Sequence, residues 1–196
     1  MSAKRVVTCA VMAVIGIVTG HAVLTTKQLT QPTGAVVIEQ QPQGTLRTSP
    51  KGLAMIGNAE GCRRDPYRCP AGMVTNGIGN THHVPNHTVT LNDVARDWVR
   101  NLRTAEQCVS EVEQLAGRPM SQGQFDALTS LVFNLGCQQF RTNDDGTPTK
   151  IYHAAVVGHY QLACEHIKDW VFSGGKRLPG LVVRRQTEYE RCMGLD

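Results

Sequence analysis

Three residues whose types can support acid–base chemistry lie close together in the sequence. Cys69 comes nine positions and Thr75 fifteen positions after Glu60. The segment before Glu60 has a helical pattern, and Thr75 falls in a Gly-rich stretch that is typical of a small hairpin. A hairpin folded back on the end of the helix would bring the three side chains into one cleft. A glutamate against apolar walls has a raised pKa and can act as a general acid.

The same run also has a purely structural interpretation. Glu60 would be a solvated residue at a helix end, and Cys62 and Cys69, seven positions apart, would form a disulfide that staples the next hairpin. A helix end followed by a hairpin requires no chemistry. Residue types and spacing alone leave both interpretations open.

Local signals predict the elements that would position these residues. Ser49 suits a helix N-cap, Pro50 suits the first helical position, and Gly61 suits the end. A helix that ends at Glu60 is therefore predicted. Residues 66–90 are rich in Pro, Gly, Asn and Thr, which indicates small hairpins and loops instead of a large sheet.

A long helix is predicted next. A capping box at Thr90 is followed by apolar residues at intervals of three or four up to Ala116, and Gly117 ends the pattern. A helix of about 26 residues is roughly 39 Å long, enough to bridge two lobes. The predicted class is α+β, with a small mixed lobe of β-hairpins, a long connecting helix and a helical C-terminal lobe. The other predicted helices cover about 122–135, 151–171 and 181–193.

The N-terminus contains a candidate membrane segment. No Asp, Glu, Lys or Arg occurs from Val6 to Thr26, and a helix of this length spans roughly 30 Å, one hydrocarbon core. Lys4 and Arg5 precede it, so the positive-inside rule keeps the N-terminus in the cytoplasm and exports the rest. The segment has one Leu, no aromatic residue and several Gly and Thr residues, so it is a weak anchor.

A cleavable signal peptide is the alternative for this segment, because Gly20-His21-Ala22 resembles a cleavage site. Residues 27–49 are rich in Gln, Thr, Pro and Gly and are interpreted as a linker. The predicted organisation is a membrane segment, a linker and one folded domain. These parts cover residues 1–26, 27–49 and 50–196.

Cysteine and histidine usage favours disulfides over metal sites. Of seven cysteines, Cys9 lies in the apolar segment and six lie in the exported part, an even number that is typical of disulfides. No C-x2-C pair is present, and His82, His83 and His87 lie in a polar loop, so no metal or other cofactor is predicted. The net charge of +4 is too small to indicate a nucleic-acid partner.

The run from Glu60 to Gly79 resembles the active-site stretch of the phage lysozymes, glycoside hydrolase family 24. In that family a Glu is followed by Asp or Cys nine positions later and by Thr fifteen positions later. Residues 127–136 resemble the central buried helix of the family, and residues 170–185 with Glu188 resemble its C-terminal stretch. The resemblance covers about residues 52–195 and implies a lysozyme-like fold.

The resemblance implies hydrolysis of the β-1,4 bond between N-acetylmuramic acid and N-acetylglucosamine in peptidoglycan. Glu60 would protonate the leaving oxygen, while Cys69 and Thr75 would place or activate a water on the opposite face of the sugar, an inverting arrangement. Cys69 stands where the family usually has Asp, and a neutral thiol is a weaker base, so its role is left open. One of Arg184 and Arg185 would position charge by pairing with Glu60 or a nearby acid.

Within the family the chain resembles the signal-arrest-release endolysins, which carry a weak, uncleaved anchor. The resemblance implies a Cys62–Cys69 disulfide that keeps the enzyme inactive in the membrane. After release, Cys9 would attack Cys62, form Cys9–Cys62 and restore the Cys69 thiol. The catalytic domain would face the periplasm at the host inner membrane, anchored through residues 6–26, and would then be released.

The other four cysteines would be structural. Cys164 and Cys192 flank two helices joined by a Gly/Pro turn and form one candidate disulfide, and Cys108–Cys137 is the other. The expected partner is peptidoglycan, and the expected oligomeric state is a monomer.

Three rival functions remain open. A peptidoglycan-binding module without activity would tolerate the loss of Glu60. A secreted lysozyme with a cleaved signal would share the chemistry but lose Cys9. A cysteine hydrolase would pair Cys69 with a loop histidine, although such a base must itself be oriented by a third group.

Overall fold

A computed structural model describes residues 6–69 and 72–196. Lys4 and Arg5, the predicted topology signal, lie outside these ranges. The chain forms two compact units, and the first of them ends at Arg103. The described residues form helices and three antiparallel sheets of two strands each, which confirms the predicted α+β class.

The N-terminal segment is folded into the first unit. Helix α1 (Val11–Thr19) has nine residues and ends at Gly20, whose φ of 70° is left-handed. It packs against the helix of residues 50–60. No helix of the described residues combines the length and the apolar character that crossing a membrane requires. The buried side chains of α1 are Val14, Ile15 and Val18.

Residues 27–49, which the sequence analysis interprets as a linker, contain a short helical turn and a β-hairpin. Helix α2 (Thr26–Leu29) lies at the start of this range. It is followed by an antiparallel hairpin of β1 (Gly34–Ile38) and β2 (Gln41–Leu46). The turn residues Glu39–Gln40 have φ values of 50° and 64°. Burial of three apolar side chains offsets the entropy cost of ordering this segment. These side chains are Val36, Ile38 and Leu46.

Helix α3 (Pro50–Glu60) has the predicted bounds. The Ser49 side chain accepts a hydrogen bond from a backbone N–H of the first turn at 3.1 Å, and Gly61 N–H donates to Gly57 O at 2.8 Å. A Cβ built on Gly57 would lie 2.4 Å from Cγ1 of Val11. The missing side chain at Gly57 therefore permits the close contact between α1 and α3.

Replacing Gly57 by Ala is expected to weaken the docking of α1. The new methyl group would overlap Val11, and overpacking of this kind costs about 1–3 kcal/mol. Urea unfolding would report the lost stability, and limited proteolysis near α1 would report its exposure. Gly180→Ala is the matched control, because it is also a helical glycine but has open space at its Cβ position. Equal effects of the two substitutions would contradict the steric explanation.

The first unit continues with a hairpin that directly follows α3. Strand β3 (Arg63–Arg68) pairs antiparallel with β4 (Val74–Gly77). Helix α4 (Leu91–Ala116) then runs for 26 residues. Asp93 N–H donates to Thr90 Oγ1 at 3.1 Å, and the Asp93 carboxylate accepts the Thr90 N–H at 2.9 Å. The predicted capping box and the predicted length of this helix are confirmed.

The second unit extends from Thr104 to Asp196 and is mainly helical. The helical stretch predicted at 151–171 is interrupted at Gly158, whose φ of 75° ends one helix, and it finishes in a 3-10 turn, Ile167–Asp169. The elements after α4 are α5 (Gln122–Leu135), α6 (Cys137–Arg141), α7 (Lys150–Val156), α8 (Tyr160–His166), β5 (Phe172–Ser173), β6 (Lys176–Arg177) and α9 (Pro179–Met193).

Two disulfides connect helices of the second unit. Cys108 of α4 is bonded to Cys137 of α6, and Cys164 of α8 is bonded to Cys192 of α9. These are the two candidate disulfides of the sequence analysis. Each closes a loop of 29 or 28 residues, and constraining the unfolded chain in this way contributes about 3 kcal/mol per bond.

Candidate active site

The β3–β4 hairpin places Cys69 just beyond the end of β3 and Thr75 on β4. Tyr67 is the cross-strand partner of Thr75. Past the end of β3, Cys69 N–H donates to Met73 O at 2.9 Å, and Cys69 O accepts the Gly72 N–H at 2.8 Å. The chain thus reverses within a few residues, as the Gly-rich sequence predicts.

Glu60 is the last residue of α3 and is half-buried. Gly61 follows with a φ of 72°, a conformation that strains residues with a side chain. This glycine lets the chain turn from α3 into β3 within two residues. Glu60 therefore lies at the junction where the helix meets the strand that leads to Cys69.

Tyr67 lies on β3, between Glu60 and Cys69 in the sequence, and pairs with Thr75 of β4. Burial raises the pKa of the Tyr67 phenol, the charges of Glu60 and Cys69 raise it further, and Arg63 lowers it. Both negative charges disfavour ionisation of the phenol, and Thr75 is the cross-strand partner of Tyr67. The sequence analysis missed Tyr67, although it is the only aromatic residue between Glu60 and Thr75.

A buried amide network fixes the strand that carries Thr75. Thr75 is 3% exposed, and its neighbour Asn76 forms an antiparallel bridge with Asn80 through two backbone hydrogen bonds of 3.0 Å. Asn80 Nδ2 donates to Asn76 Oδ1 at 2.9 Å and to Asp97 Oδ2 at 3.3 Å. Asn101 Nδ2 donates to Asn80 Oδ1 at 3.2 Å. The end of β4 is therefore anchored to α4.

The cysteines of the first unit are arranged as the sequence analysis expects for the released enzyme. Cys9 is bonded to Cys62, two residues after Glu60. Cys69 takes part in none of the three disulfides and keeps its thiol in a half-buried position. The thiol is therefore present at the position that the resemblance assigns to water placement.

Arg184 and Arg185 belong to a buried ion-pair network in the second unit. Arg184 Nε lies 3.0 Å from Glu188 Oε1, and Arg185 Nη1 pairs with Glu188 Oε2. Ser130 Oγ donates to the same carboxylate at 2.6 Å. Arg185 Nε also donates to Trp170 O at 3.0 Å. Arg184, Arg185 and Glu188 all lie on α9, and the hydrogen bonds with Ser130 of α5 and with Trp170 connect this helix to its neighbours within the unit.

The histidine loop does not form a metal site. His82, His83 and His87 are exposed. Across the described parts of the chain, no group of three or more His, Cys, Asp or Glu residues could hold a metal ion.

Asp65 is a buried carboxylate on β3 beside these residues. Arg63 Nη2 lies 2.6 Å from Asp65 Oδ2, and Val7 N–H donates to Asp65 Oδ1 at 2.7 Å. The hydrogen bond from Arg63, together with that from Val7, lowers the pKa of Asp65 to about 2. Because this pKa lies below that of the unfolded chain, the ionised carboxylate stabilises the fold near neutral pH.

The pH dependence of stability is expected to show this shift. The contribution of Asp65 should be complete above about pH 4 and should disappear as the pH falls towards about 2, because over this range the unfolded chain takes up a proton while the native carboxylate stays ionised. Urea unfolding of the parent and of Asp65→Asn should therefore differ at neutral pH and converge in acid. A constant difference across this range would contradict the prediction.

Comparison with known proteins identifies the family. The sequence model of the phage lysozyme family matches residues 57–188. The SAR-endolysin of Escherichia phage P1 is 43% identical over 156 residues, which cover 76% of this chain and 83% of that protein. The SAR-endolysin of Haemophilus phage HP1 is 44% identical over 154 residues, which cover 76% of this chain and 82% of that protein.

Solved structures agree with these sequence matches. The active form of the phage P1 endolysin matches with a TM-score of 0.77 and 38% identity, and the match covers 97% of each chain. The secreted inactive form of the same endolysin matches with a TM-score of 0.54 and 42% identity, covering 76% of this chain and 98% of that one. The lysozyme-like fold is thereby confirmed, and the chain belongs to the phage lysozyme family of endolysins.

Proposed function

We propose that the chain is a muramidase that hydrolyses the β-1,4 bond between N-acetylmuramic acid and N-acetylglucosamine during host cell lysis. The observation that carries this proposal is the local arrangement of the hairpin, in which Glu60 ends α3 directly before β3, Cys69 follows the end of β3, and Thr75 pairs with Tyr67 across the hairpin. Family membership supports a lysozyme-type glycosidase with peptidoglycan as its substrate. The enzyme is proposed to act as a monomer.

The proposed reaction divides the work between two sides of the sugar ring. Glu60, half-buried at the end of α3, donates its proton to the glycosidic oxygen as the bond to the anomeric carbon breaks. Thr75 and Cys69 hold a water on the opposite face, and that water attacks the anomeric carbon and releases a proton to solvent, from which the Glu60 carboxylate is protonated again. Because the water attacks in one step on the face opposite to the leaving oxygen, the configuration at the anomeric carbon inverts.

Analysis of the new chain ends tests the reaction. Peptidoglycan digested with the full chain is reduced with borohydride and examined by mass spectrometry. Products that end in reduced N-acetylmuramic acid are expected. Reduced N-acetylglucosamine would identify a glucosaminidase, and 1,6-anhydro products would identify a lytic transglycosylase. Binding without any product would favour a peptidoglycan-binding module.

A membrane-bound inactive state is proposed to precede this activity. Residues 6–26 would anchor the chain in the host inner membrane, with the N-terminus in the cytoplasm and the catalytic domain in the periplasm. Cys62–Cys69 would keep the enzyme inactive until release, when Cys9–Cys62 forms. The charge-free segment, the SAR-endolysin relatives and the two solved forms of the phage P1 protein support this proposal.

Cys9→Ser tests the proposed regulation. The variant is expected to leave the membrane fraction when the membrane potential is dissipated but to remain inactive, because nothing displaces Cys69 from its disulfide. Addition of a reductant should restore its activity. Full activity of Cys9→Ser after release would contradict the exchange. A soluble, shortened protein before dissipation would instead indicate a cleaved signal peptide.

A further inference from the structure

The chain that precedes α1 adds a strand to the catalytic hairpin. Within the segment Val7–Cys9, Thr8 forms an antiparallel bridge with Arg63. Val7 O accepts a hydrogen bond from Arg64 N–H at 2.7 Å, and Cys9 N–H donates to Cys62 O at 3.1 Å. Arg63 also pairs with Gly77 of β4, so the segment occupies the opposite edge of β3.

The register of this added strand decides which cysteine lies opposite Cys9. The three pairs 7 with 64, 8 with 63 and 9 with 62 share one antiparallel register, so Cys9 faces Cys62. Cys69 lies seven positions further along, since 69 − 62 = 7. Pairing Cys9 with Cys69 would therefore require a slip of seven residues. This is an odd number, which would also turn the side chains of the segment to the other face.

The Asp65 carboxylate contacts the backbone of the segment Val7–Cys9 in this register. Its Oδ1 accepts the Val7 N–H at 2.7 Å, while Arg63 holds the same carboxylate with Nη2 at 2.6 Å from Oδ2 and Nε at 3.1 Å from both oxygens. The residue is 8% exposed, so solvent competes little for this hydrogen bond. An ionised acceptor fixed by a planar guanidinium makes a strong and directional hydrogen bond.

We propose that the edge of β3 is a docking surface for Val7–Cys9 of the same chain, and that Asp65 sets the register in which Cys9 attacks Cys62 instead of Cys69. This inference rests on the release and exchange proposed above. Both sulfurs of a disulfide are electrophilic, and the outcome depends on which of them the thiolate can reach. Docking in the register seen here holds Cys9 opposite Cys62 and so favours the Cys9–Cys62 product.

The exchange is balanced without an external oxidant or reductant. The Cys9 thiolate attacks Sγ of Cys62, the Cys9–Cys62 bond forms as the Cys62–Cys69 bond breaks, and Cys69 leaves as a thiolate that takes a proton from water. Attack on Cys69 would give Cys9–Cys69 and a Cys62 thiol. That product would keep the catalytic-site thiol blocked.

Disulfide mapping during release tests the inference. The full chain is purified in detergent with Cys62–Cys69 closed and diluted to release the segment. It is then quenched with N-ethylmaleimide and mapped by peptide mass spectrometry. The variants Asp65→Asn and Val7→Pro each remove one side of the same hydrogen bond. Asp93→Asn is the matched control, because Asp93 is also paired with an arginine but does not contact the segment.

The expected result is an increase of about tenfold in the ratio of Cys9–Cys69 to Cys9–Cys62 in either variant, with no further increase in the double variant. The control should keep the parent ratio. Parent-like ratios in both variants would overturn the role of Asp65 while leaving the exchange intact. A parent that never forms Cys9–Cys62 would overturn the exchange itself. Intact disulfides of the second unit would show that the variants fold.

Discussion

Glu60→Gln is expected to reduce the rate of peptidoglycan hydrolysis by about 10²–10⁴-fold, the usual contribution of a general acid. The amide keeps the size of the side chain at the end of α3 but cannot donate a proton to the leaving oxygen. Turbidity loss of purified peptidoglycan measures the effect, with protein whose three disulfides have been verified. Because the amide preserves the surface of the site, binding to peptidoglycan should remain close to that of the parent.

Glu111→Gln is the matched control for this prediction. Glu111 is a partly exposed carboxylate of α4 that pairs with Arg141, so its loss should leave hydrolysis within about twofold of the parent. A Glu60→Gln enzyme that retains a tenth or more of the parent rate would exclude Glu60 as the general acid. The binding-module alternative predicts equal behaviour of the two variants in every assay.

Helix ends were predictable because their signals are local. Ser49 and Gly61 bound α3 through hydrogen bonds that span three or four residues. Ser121 and Gln124 form a capping box at the start of α5 in the same way. Such interactions depend on the side chains next to the helix end, so the sequence contains the information that sets them. The predicted end of α3 makes Glu60 the last residue of that helix, as it is in the structure.

The hairpin of residues 34–46 was missed because its turn lacks the usual residues. Two-residue hairpin turns with positive φ at both positions normally contain Asn or Gly, which adopt this conformation at low cost. Here Glu39 and Gln40 adopt it. Arg96 and Asn92 of α4 hold the Glu39 carboxylate, so contacts from a distant part of the chain support the turn. Local sequence cannot reveal that support.

The candidate site was predictable in its residues but not in its surroundings. The spacing of Glu60, Cys69 and Thr75 follows from the resemblance to the lysozyme active-site stretch. The contact between Asp65 and Val7 joins residues 58 positions apart. It depends on where the N-terminal segment docks, and apolar character alone is equally consistent with a membrane segment and with a packed strand and helix. Only the folded arrangement distinguishes these environments.

Glu188→Ala is expected to destabilise the second unit by about 3–5 kcal/mol, the typical cost of breaking a buried ion pair from one side. The carboxylate is fully buried and pairs with two guanidinium groups, those of Arg184 and Arg185, whose side chains are 9% and 1% exposed. Its removal leaves two positive charges close together, and Ser130 Oγ loses its acceptor. Urea unfolding monitored by circular dichroism would measure the change.

Glu190→Ala separates this effect from the general consequences of mutating α9. Glu190 lies on the same helix but accepts a hydrogen bond only at the surface, from Gln186 Nε2 at 2.8 Å, so its loss should cost about 0.5 kcal/mol or less. The variant Arg184→Met/Arg185→Met/Glu188→Leu should be far more stable than Glu188→Ala, because it removes the charges together and avoids leaving any uncompensated. Equal losses in this triple variant and in Glu188→Ala would contradict the explanation by uncompensated charge, because the triple variant leaves no such charge in place.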